Sequence, residues 1–185
     1  VDYGVLSKVA YLLSWGANIC SETAPVLGGY AGGPEGTALV NAAYNVLGTV
    51  VQKASYQLSF PIHSALQCNT ARNTLWAMSL SGQAITRNSN LPMFMLGYLA
   101  SGPMTEMVLH ETAAWVIAAV ASGAHIEAEG VCKATHPDYF TPMEPSFAAE
   151  VAYAATGIKR TFANELVKTL LRRYEEKIKE PPVGR

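Results

Sequence analysis

Helix-like and strand-like segments alternate along the chain. Apolar residues spaced three and four apart predict helices, whereas short alternating or continuously apolar runs predict strands. The predicted helices cover residues 5–15, 34–54, 104–121 and 158–178; another runs through Leu75, Met78, Leu80 and Ile85, and a shorter one begins near Ser146. The predicted strands end at Ser21-Glu22 or cover residues 56–63, 92–98 and 125–133. Such an order predicts about four parallel strands joined by helical crossovers.

The same patterns predict which side chains face the core. Pro34 suits the first position of a helix, because its missing N–H needs no partner there. Residues expected inward from this helix are Leu39, Ala42, Ala43, Val46, Val50 and Ala54. The last helix repeats an apolar residue every four positions, at Ile158, Phe162, Leu166, Leu170, Tyr174 and Ile178. Its other faces carry lysine and arginine, which is typical of an amphipathic surface helix.

Polar residues recur after the predicted strands. They are Glu22, His63, Tyr98 and Lys133, which lie 41, 35 and 35 residues apart, about one strand–helix unit each. In parallel α/β folds the carboxyl ends of the strands form the active-site face. Four units are half of a (β/α)8 TIM-type barrel. Such a half barrel has open sheet edges that something must cover.

Composition narrows the function classes. Half of the residues are hydrophobic and only 15% are charged, which favours extra surface buried against a partner. A net charge of −1 without a basic stripe argues against nucleic-acid binding. Three cysteines without paired spacing are typical of a reduced, cytoplasmic protein. The interrupted apolar run near the start predicts neither a signal peptide nor a membrane span.

Two motifs suggest other chemistry. The glycine-rich loop 28–33 precedes a helix, as phosphate-binding loops do, but Tyr30 occupies the second glycine position of a dinucleotide fingerprint. Tight turns or the close approach of a bulky group explain the glycines better. His110-Glu111 begins a zinc-protease motif whose second histidine is absent, so a helix-face pair is favoured.

A zinc site is a further alternative. Its candidate ligands lie near strand ends and are Cys20, His63, Cys68, Cys132 and His136. Their spacings match no structural zinc pattern, and cysteine is commonly a small buried apolar residue. We therefore predict no metal ligand in this chain.

An ordered series of segments carries a resemblance to one family. The series runs from Glu22 to Gly33 (ETAPVLGGYAGG), through Pro61-Ile62-His63 and residues 69–72, to 102–107 (GPMTEM) and the last helix. In this order the segments resemble the monomethylamine:corrinoid methyltransferases of methanogens. The similarity is collinear from about Glu22 onward, which is more specific than any single motif.

The resemblance implies a barrel enzyme more than twice this length. Such enzymes form homo-oligomers and move a methyl group from methylamine to the Co(I) corrinoid of a partner protein. Their reactive pyrrolysine, encoded by an in-frame amber codon, lies in the N-terminal half. Residues 1–185 would then be the C-terminal half of the barrel domain, binding no cofactor directly.

The resemblance also implies roles for individual residues. Glu22 matches a carboxylate that faces the pyrrolysine ring, where it can protonate the imine nitrogen and balance the charge of methylammonium. Tyr98 matches a tyrosine of the same pocket, and Leu96 replaces a glutamine of the family. His63 matches a histidine without an assigned role. Gly28, Gly29 and Tyr30 would line the approach of the flat corrin ring.

Two alternatives remain open. One is a pyrrolysine-free or zinc-dependent barrel methyltransferase that acts on another methylated compound. The other is a non-catalytic half barrel that serves as an assembly piece.

Overall fold

The computed structural model describes residues 1–184 as a parallel sheet flanked by helices. The helices are α1 (Tyr3–Ser14), α2 (Pro34–Val51), α3 (Arg72–Asn88), α4 (Glu106–Ala121), α5 (Met143–Ala155) and α6 (Arg160–Tyr174). The strands are β1 (Cys20–Thr23), β2 (Val26–Leu27), β3 (Tyr56–Ser59), β4 (Ile62–His63), β5 (Met93–Tyr98) and β6 (His125–Gly130). The main sheet has the order β1-β3-β5-β6, and all its pairs are parallel. The predicted alternation of four parallel strands with helices is therefore confirmed.

A smaller ladder continues the sheet beyond β1 and β3. Val26 pairs with Ile62 in parallel, and the Phe60 and Ile62 N–H groups each donate to a carbonyl of the neighbouring chain segment at 3.0 Å. The single strand predicted over 56–63 is thus two short strands. They are interrupted at Pro61, which has no N–H to donate to the ladder.

The core lies between the sheet and the helices. Its largest buried side chains include Trp115 and Val116 of α4, Met78 of α3 and Met95 of β5. Because α4 packs against β5, β6, α5 and α6, it is apolar almost all round, as a buried helix must be.

Helix α2 faces largely the opposite way from the prediction, although Ala54, which follows the helix, is buried as predicted. Its buried residues are Thr37, Ala38, Asn41, Asn45 and Gly48, whereas Leu39 and Val50 are each 72% exposed. Asn41 explains this orientation, because its amide donates to Ser81 Oγ at 2.6 Å and accepts from Ser59 Oγ at 2.7 Å. A buried polar network, which hydrophobic periodicity does not detect, joins α2 to the sheet and to α3.

The last helix also deviates from the four-residue pattern. The buried residues of α6 and of the turn after it are Ala163, Leu171, Tyr174 and Ile178, whereas Phe162 is 59% exposed. The expected inward face was therefore correct at Tyr174 and Ile178 and wrong at Phe162.

Helix α1 lies apart from the core. None of its residues is buried against the described part of the chain, although Tyr3 and Tyr11 are large and apolar. Asp2 caps the helix by accepting a hydrogen bond from the Val5 N–H at 2.9 Å. Within residues 1–184, no helix is both long enough and apolar enough to cross a membrane.

Glu129 is a buried carboxylate between β6 and α4. Its Oε2 accepts hydrogen bonds from Trp115 Nε1 at 2.9 Å and Thr112 Oγ1 at 3.1 Å. Its Oε1 has no hydrogen-bond partner among the described residues. Burial raises the pKa of Glu129 from 4.5 to about 7, against the opposing effect of these two donors.

This shift predicts that stability falls as pH rises. A carboxyl whose pKa is raised on folding stabilises the protein fully below its unfolded pKa, and that contribution is lost between about pH 4.5 and 7. Glu129→Gln should reduce the loss of unfolding free energy between pH 5 and 8 by about 2–3 kcal/mol. Urea unfolding at the two pH values measures this, and equal losses in both proteins would refute it.

Candidate active site

One face of the sheet turns away from the helices. Ser21 and Thr23 of β1 are buried on the side of α2, so Glu22 between them points to the other face and is exposed. In β5, Met93 and Met95 lie in the core, so Leu96 and Tyr98 share the face of Glu22. We call this the inner face. The structure thus brings three of the predicted site residues to one surface.

Glu22 and Tyr98 lie well apart on the inner face. Glu22 is level with Leu58 and Phe94 in the sheet register. Tyr98 is therefore two strands away, about 10 Å across, and four residues farther along, about 13 Å. Leu58 and Leu96 lie between the two residues on the same face.

The carboxylate of Glu22 is available to a ligand. Its side chain is exposed, and it forms no ion pair within the described residues. A second carboxylate, Glu127 of β6, is also exposed, and both raise the pKa of the partly buried Cys20 thiol, although burial contributes more. The inner face is therefore negatively charged at the level of β1 and suits a cationic or protonated group.

Asn69 positions the end of β5. This residue is fully buried, and its amide Nδ2 donates to the Leu96 carbonyl at 2.6 Å while its Oδ1 accepts from the Tyr98 N–H at 2.8 Å. The Tyr98 ring stacks on Phe60 with centroids 5.4 Å apart and planes 9° apart. Sequence reasoning gave Asn69 no role, because its partners lie 27 and 29 residues away.

Glu111 holds the neighbouring strand-end loops together. It is fully buried and accepts hydrogen bonds from the Ala100 and Ser101 N–H groups, both at 2.9 Å, and from the Thr70 and Ser101 hydroxyls. Burial raises the pKa of Glu111, opposed by these donors. The glutamate of the HETAA run is thus a structural acceptor and not a residue on a solvated helix face.

His63 supports the loop after β4. Its Nδ1 accepts from the Ala65 N–H at 3.2 Å and the Leu66 N–H at 3.3 Å, and burial lowers its pKa. The Ser64 N–H donates to the carbonyl of Leu27, so this loop lies beside the start of the glycine-rich loop. Gly28 has φ +84° and leaves no room for a Cβ, which would lie 2.5 Å from Ser64 Oγ.

The rest of the glycine-rich loop is exposed. Gly29 follows in the same turn, and Tyr30 is 69% exposed. Its hydroxyl lies 2.8 Å from that of Tyr44, which raises the pKa of Tyr30 to about 12. The loop therefore presents an accessible surface, as the approach of a large partner requires.

The candidate zinc ligands do not form a cluster in the described part of the chain. In the part of the chain that the structure describes, no three His, Cys, Asp or Glu side chains come close enough to hold a metal ion. Cys68 is fully buried, and burial raises its pKa to about 11. Lys133 lies in a turn after β6 and is partly exposed.

Comparison with known proteins accounts for this arrangement. The model of the family described as monomethylamine methyltransferase MtmB matches residues 1–185. The chain belongs to this family. It is 33% identical to monomethylamine methyltransferase MtmB3 of Methanosarcina barkeri strain Fusaro over the whole chain, and 34% identical to MtmB2 of Methanosarcina acetivorans over 97% of it. The predicted resemblance is confirmed.

The solved structures of the family agree in fold. The crystal structure of the Methanosarcina barkeri enzyme superposes with a TM-score of 0.93 at 30% identity, over 97% of this chain. The complex of MtmB with hydroxylamine matches equally well. The family fold is a TIM barrel, of which this chain spans the C-terminal part. It covers 41% of the length of MtmB3 and 39% of the crystallised chain.

Proposed function

We propose that this chain is the C-terminal half of a barrel enzyme that transfers a methyl group from monomethylamine to the Co(I) corrinoid of a partner protein. The observation that carries the proposal is the inner face, which brings Glu22 and Tyr98 to one surface near the strand ends. Membership in a family named for monomethylamine methyl transfer supports the substrate. The exposed Glu22 carboxylate suits a cationic amine.

The same face fits a pyrrolysine supplied by the other half of the barrel. When present, pyrrolysine supplies an electrophilic imine carbon and the partner's corrinoid supplies a nucleophilic cobalt. Glu22 has an exposed carboxylate without an ion pair in the described chain, as a residue that serves a protonated ring nitrogen must. Leu58 and Phe60, both on the inner side of the sheet, make the surroundings of this site apolar.

The chain's own contribution is charge balance and orientation. The Glu22 carboxylate stabilises the proton on the ring nitrogen and the positive charge next to the methyl group that leaves. Tyr98, fixed by Asn69 and Phe60, orients the group that binds on the inner face. Methyl transfer to a metal requires the donor nitrogen, the carbon and the acceptor in line, so rigid orientation contributes directly to rate.

A second candidate is methyl transfer from a different methylated compound. Leu96 favours it, because the resemblance leads us to expect a glutamine at this position of the inner face. An apolar side chain there removes a hydrogen-bonding amide from the pocket and favours a more substituted methyl donor. Under this candidate Glu22 keeps its role, since such donors are also cationic.

A substrate panel separates the two candidates. The full-length protein is incubated without oxygen with a Co(I) corrinoid protein and with mono-, di- or trimethylamine, and methyl–cobalt formation is followed by absorbance. The first candidate predicts fastest transfer from monomethylamine, and the second predicts a preference for another donor. Transfer from none of them would refute both. An in-frame amber codon in the gene upstream of Val1 would support the presence of pyrrolysine in the other half of the barrel.

The other half of the barrel and a second copy of the protein would cover the open surfaces. Strands β1 and β6 are the edges of the main sheet. The outward faces of α1 and α2 expose Tyr11, Leu39 and Val50. Closure of the barrel and assembly with a second copy would bury these edges and faces.

A further inference from the structure

The end of the chain crosses the strand-end loops after β5 and β6. The Gly102 N–H donates to the Pro182 carbonyl at 2.8 Å, and Cys132 Sγ donates to the Val183 carbonyl at 3.1 Å. A Cβ on Gly102 would lie 1.4 Å from that Val183 oxygen, so only glycine permits the crossing. We call residues 181–184 the strap.

The loop after β6 beneath the strap is strained. Cys132, Lys133 and Ala134 are three consecutive non-glycine residues with φ of 49°, 58° and 53°. A left-handed residue costs about 1–2 kcal/mol, and such strain persists only where surrounding contacts enforce it. The enforcing contacts include the Cys132 N–H on the Ser101 carbonyl and the Lys133 N–H on the Leu99 carbonyl, each at 2.8 Å.

These contacts connect the strap to the proposed site. Tyr98 pairs with Gly130 in the ladder between β5 and β6, and the N–H of the next residue, Leu99, donates to the Gly130 carbonyl at 2.8 Å. A loop that shifts at Gly102 or Cys132 therefore shifts the ends of both β5 and β6. The strap contacts both loops through its own backbone, because Val183 is 55% exposed and its carbonyl makes the contact.

We propose that the strap is a positioning element that fixes the β5 and β6 loops and with them Tyr98 and the turn at Lys133. This inference rests on the proposed function for the importance of Tyr98. Its structural part stands on Cys132, which is only 6% exposed and contacts the strap through its thiol. Loss of the strap should expose that thiol locally.

Thiol labelling of the full-length protein tests the structural part. We compare a protein ending at Glu180 and the variant Gly102→Ala with the unaltered protein and with the control Val183→Ala, which keeps the carbonyl. Iodoacetamide labelling of Cys132, located by peptide mass spectrometry, should rise at least about tenfold in the first two and stay unchanged in the control. Labelling of Cys68, fully buried elsewhere, should not change in any of them.

A kinetic measurement tests the positioning role. With Tyr98 misplaced, kcat for methyl transfer should fall about tenfold or more, while KM for the amine changes less than about twofold. The proposal would be overturned if Cys132 stayed protected in the protein without the strap. It would also be overturned if labelling of Cys68 rose together with that of Cys132. An unchanged kcat despite faster labelling would overturn it as well. Because labelling needs no substrate, it decides the structural part even if methyl transfer is absent.

Discussion

Replacing Glu22 by glutamine is expected to lower kcat for methyl transfer from the amine by about a hundredfold or more. The amide keeps the size of the side chain but neither holds a transferable proton nor balances positive charge. Glu22 is exposed on the inner face and is not paired with a cation in the described chain, so the folded structure should tolerate the change. Stopped-flow absorbance of the cobalt centre measures the rate.

The matched control for this prediction is Glu127→Gln. Glu127 is an exposed carboxylate on β6, the opposite edge strand of the sheet from β1, and like Glu22 it raises the pKa of Cys20. The control should change kcat less than about threefold, because only Glu22 is proposed to meet the reacting group. Equal losses in the two variants would mean that net charge and not the Glu22 carboxylate drives the reaction, and near-normal turnover of Glu22→Gln would remove it from the mechanism.

Replacing Glu111 by glutamine should lower the free energy of unfolding by about 3 kcal/mol. The carboxylate accepts two backbone N–H groups and two hydroxyls in a site closed to water. An amide cannot accept on its NH2 side, so either the Ala100 N–H and the Thr70 hydroxyl or the N–H and hydroxyl of Ser101 would lose their acceptor. Urea unfolding followed by circular dichroism measures the loss.

Glu106→Gln is the matched control for Glu111. Glu106 begins the same helix and is exposed, so the same substitution should cost less than about 1 kcal/mol through the helix dipole alone. A loss below that value at Glu111 as well would show that its four hydrogen bonds contribute little net stability.

The order of the helices and strands could be predicted because local sequence patterns determine it. Periods of two and of three to four residues distinguish β5 from α4 and α6, and the bounds differ from the prediction by a few residues. The strand-end residues Glu22 and Tyr98 could also be located, since the carboxyl ends of parallel strands share one edge. The alternation of side chains between the two faces of each strand then places both residues on the inner face.

The orientation of α2 could not be predicted from the same patterns. Its apolar residues Leu39 and Val50 face outward because the Asn41 amide is hydrogen-bonded inside, to Ser81 and Ser59. Hydrophobic periodicity assumes that the apolar stripe packs on the same domain. Here the apolar stripe of α2 is exposed and available to pack on another surface. This is consistent with a chain that spans only part of its relatives' length.

The residues that hold the site were missed because their partners are distant in sequence. Asn69 bonds to β5 across 27 and 29 residues, and the strap bonds to Cys132 across 51. A weak signal did exist for Glu111, which is the only acidic residue within the apolar run 107–121. A lone carboxylate in a buried helix must find donors, and that requirement could have marked it.

Isotope-labelled methyl transfer tests the central claim most directly. The full-length protein is given 13C-methylamine and a Co(I) corrinoid protein, and the carbon bound to cobalt is identified by NMR. The proposed function predicts labelled methyl–cobalt with the unaltered protein and a strongly reduced amount at the same time point with Glu22→Gln. No label on cobalt with the unaltered protein, or equal label with the variant, would contradict it.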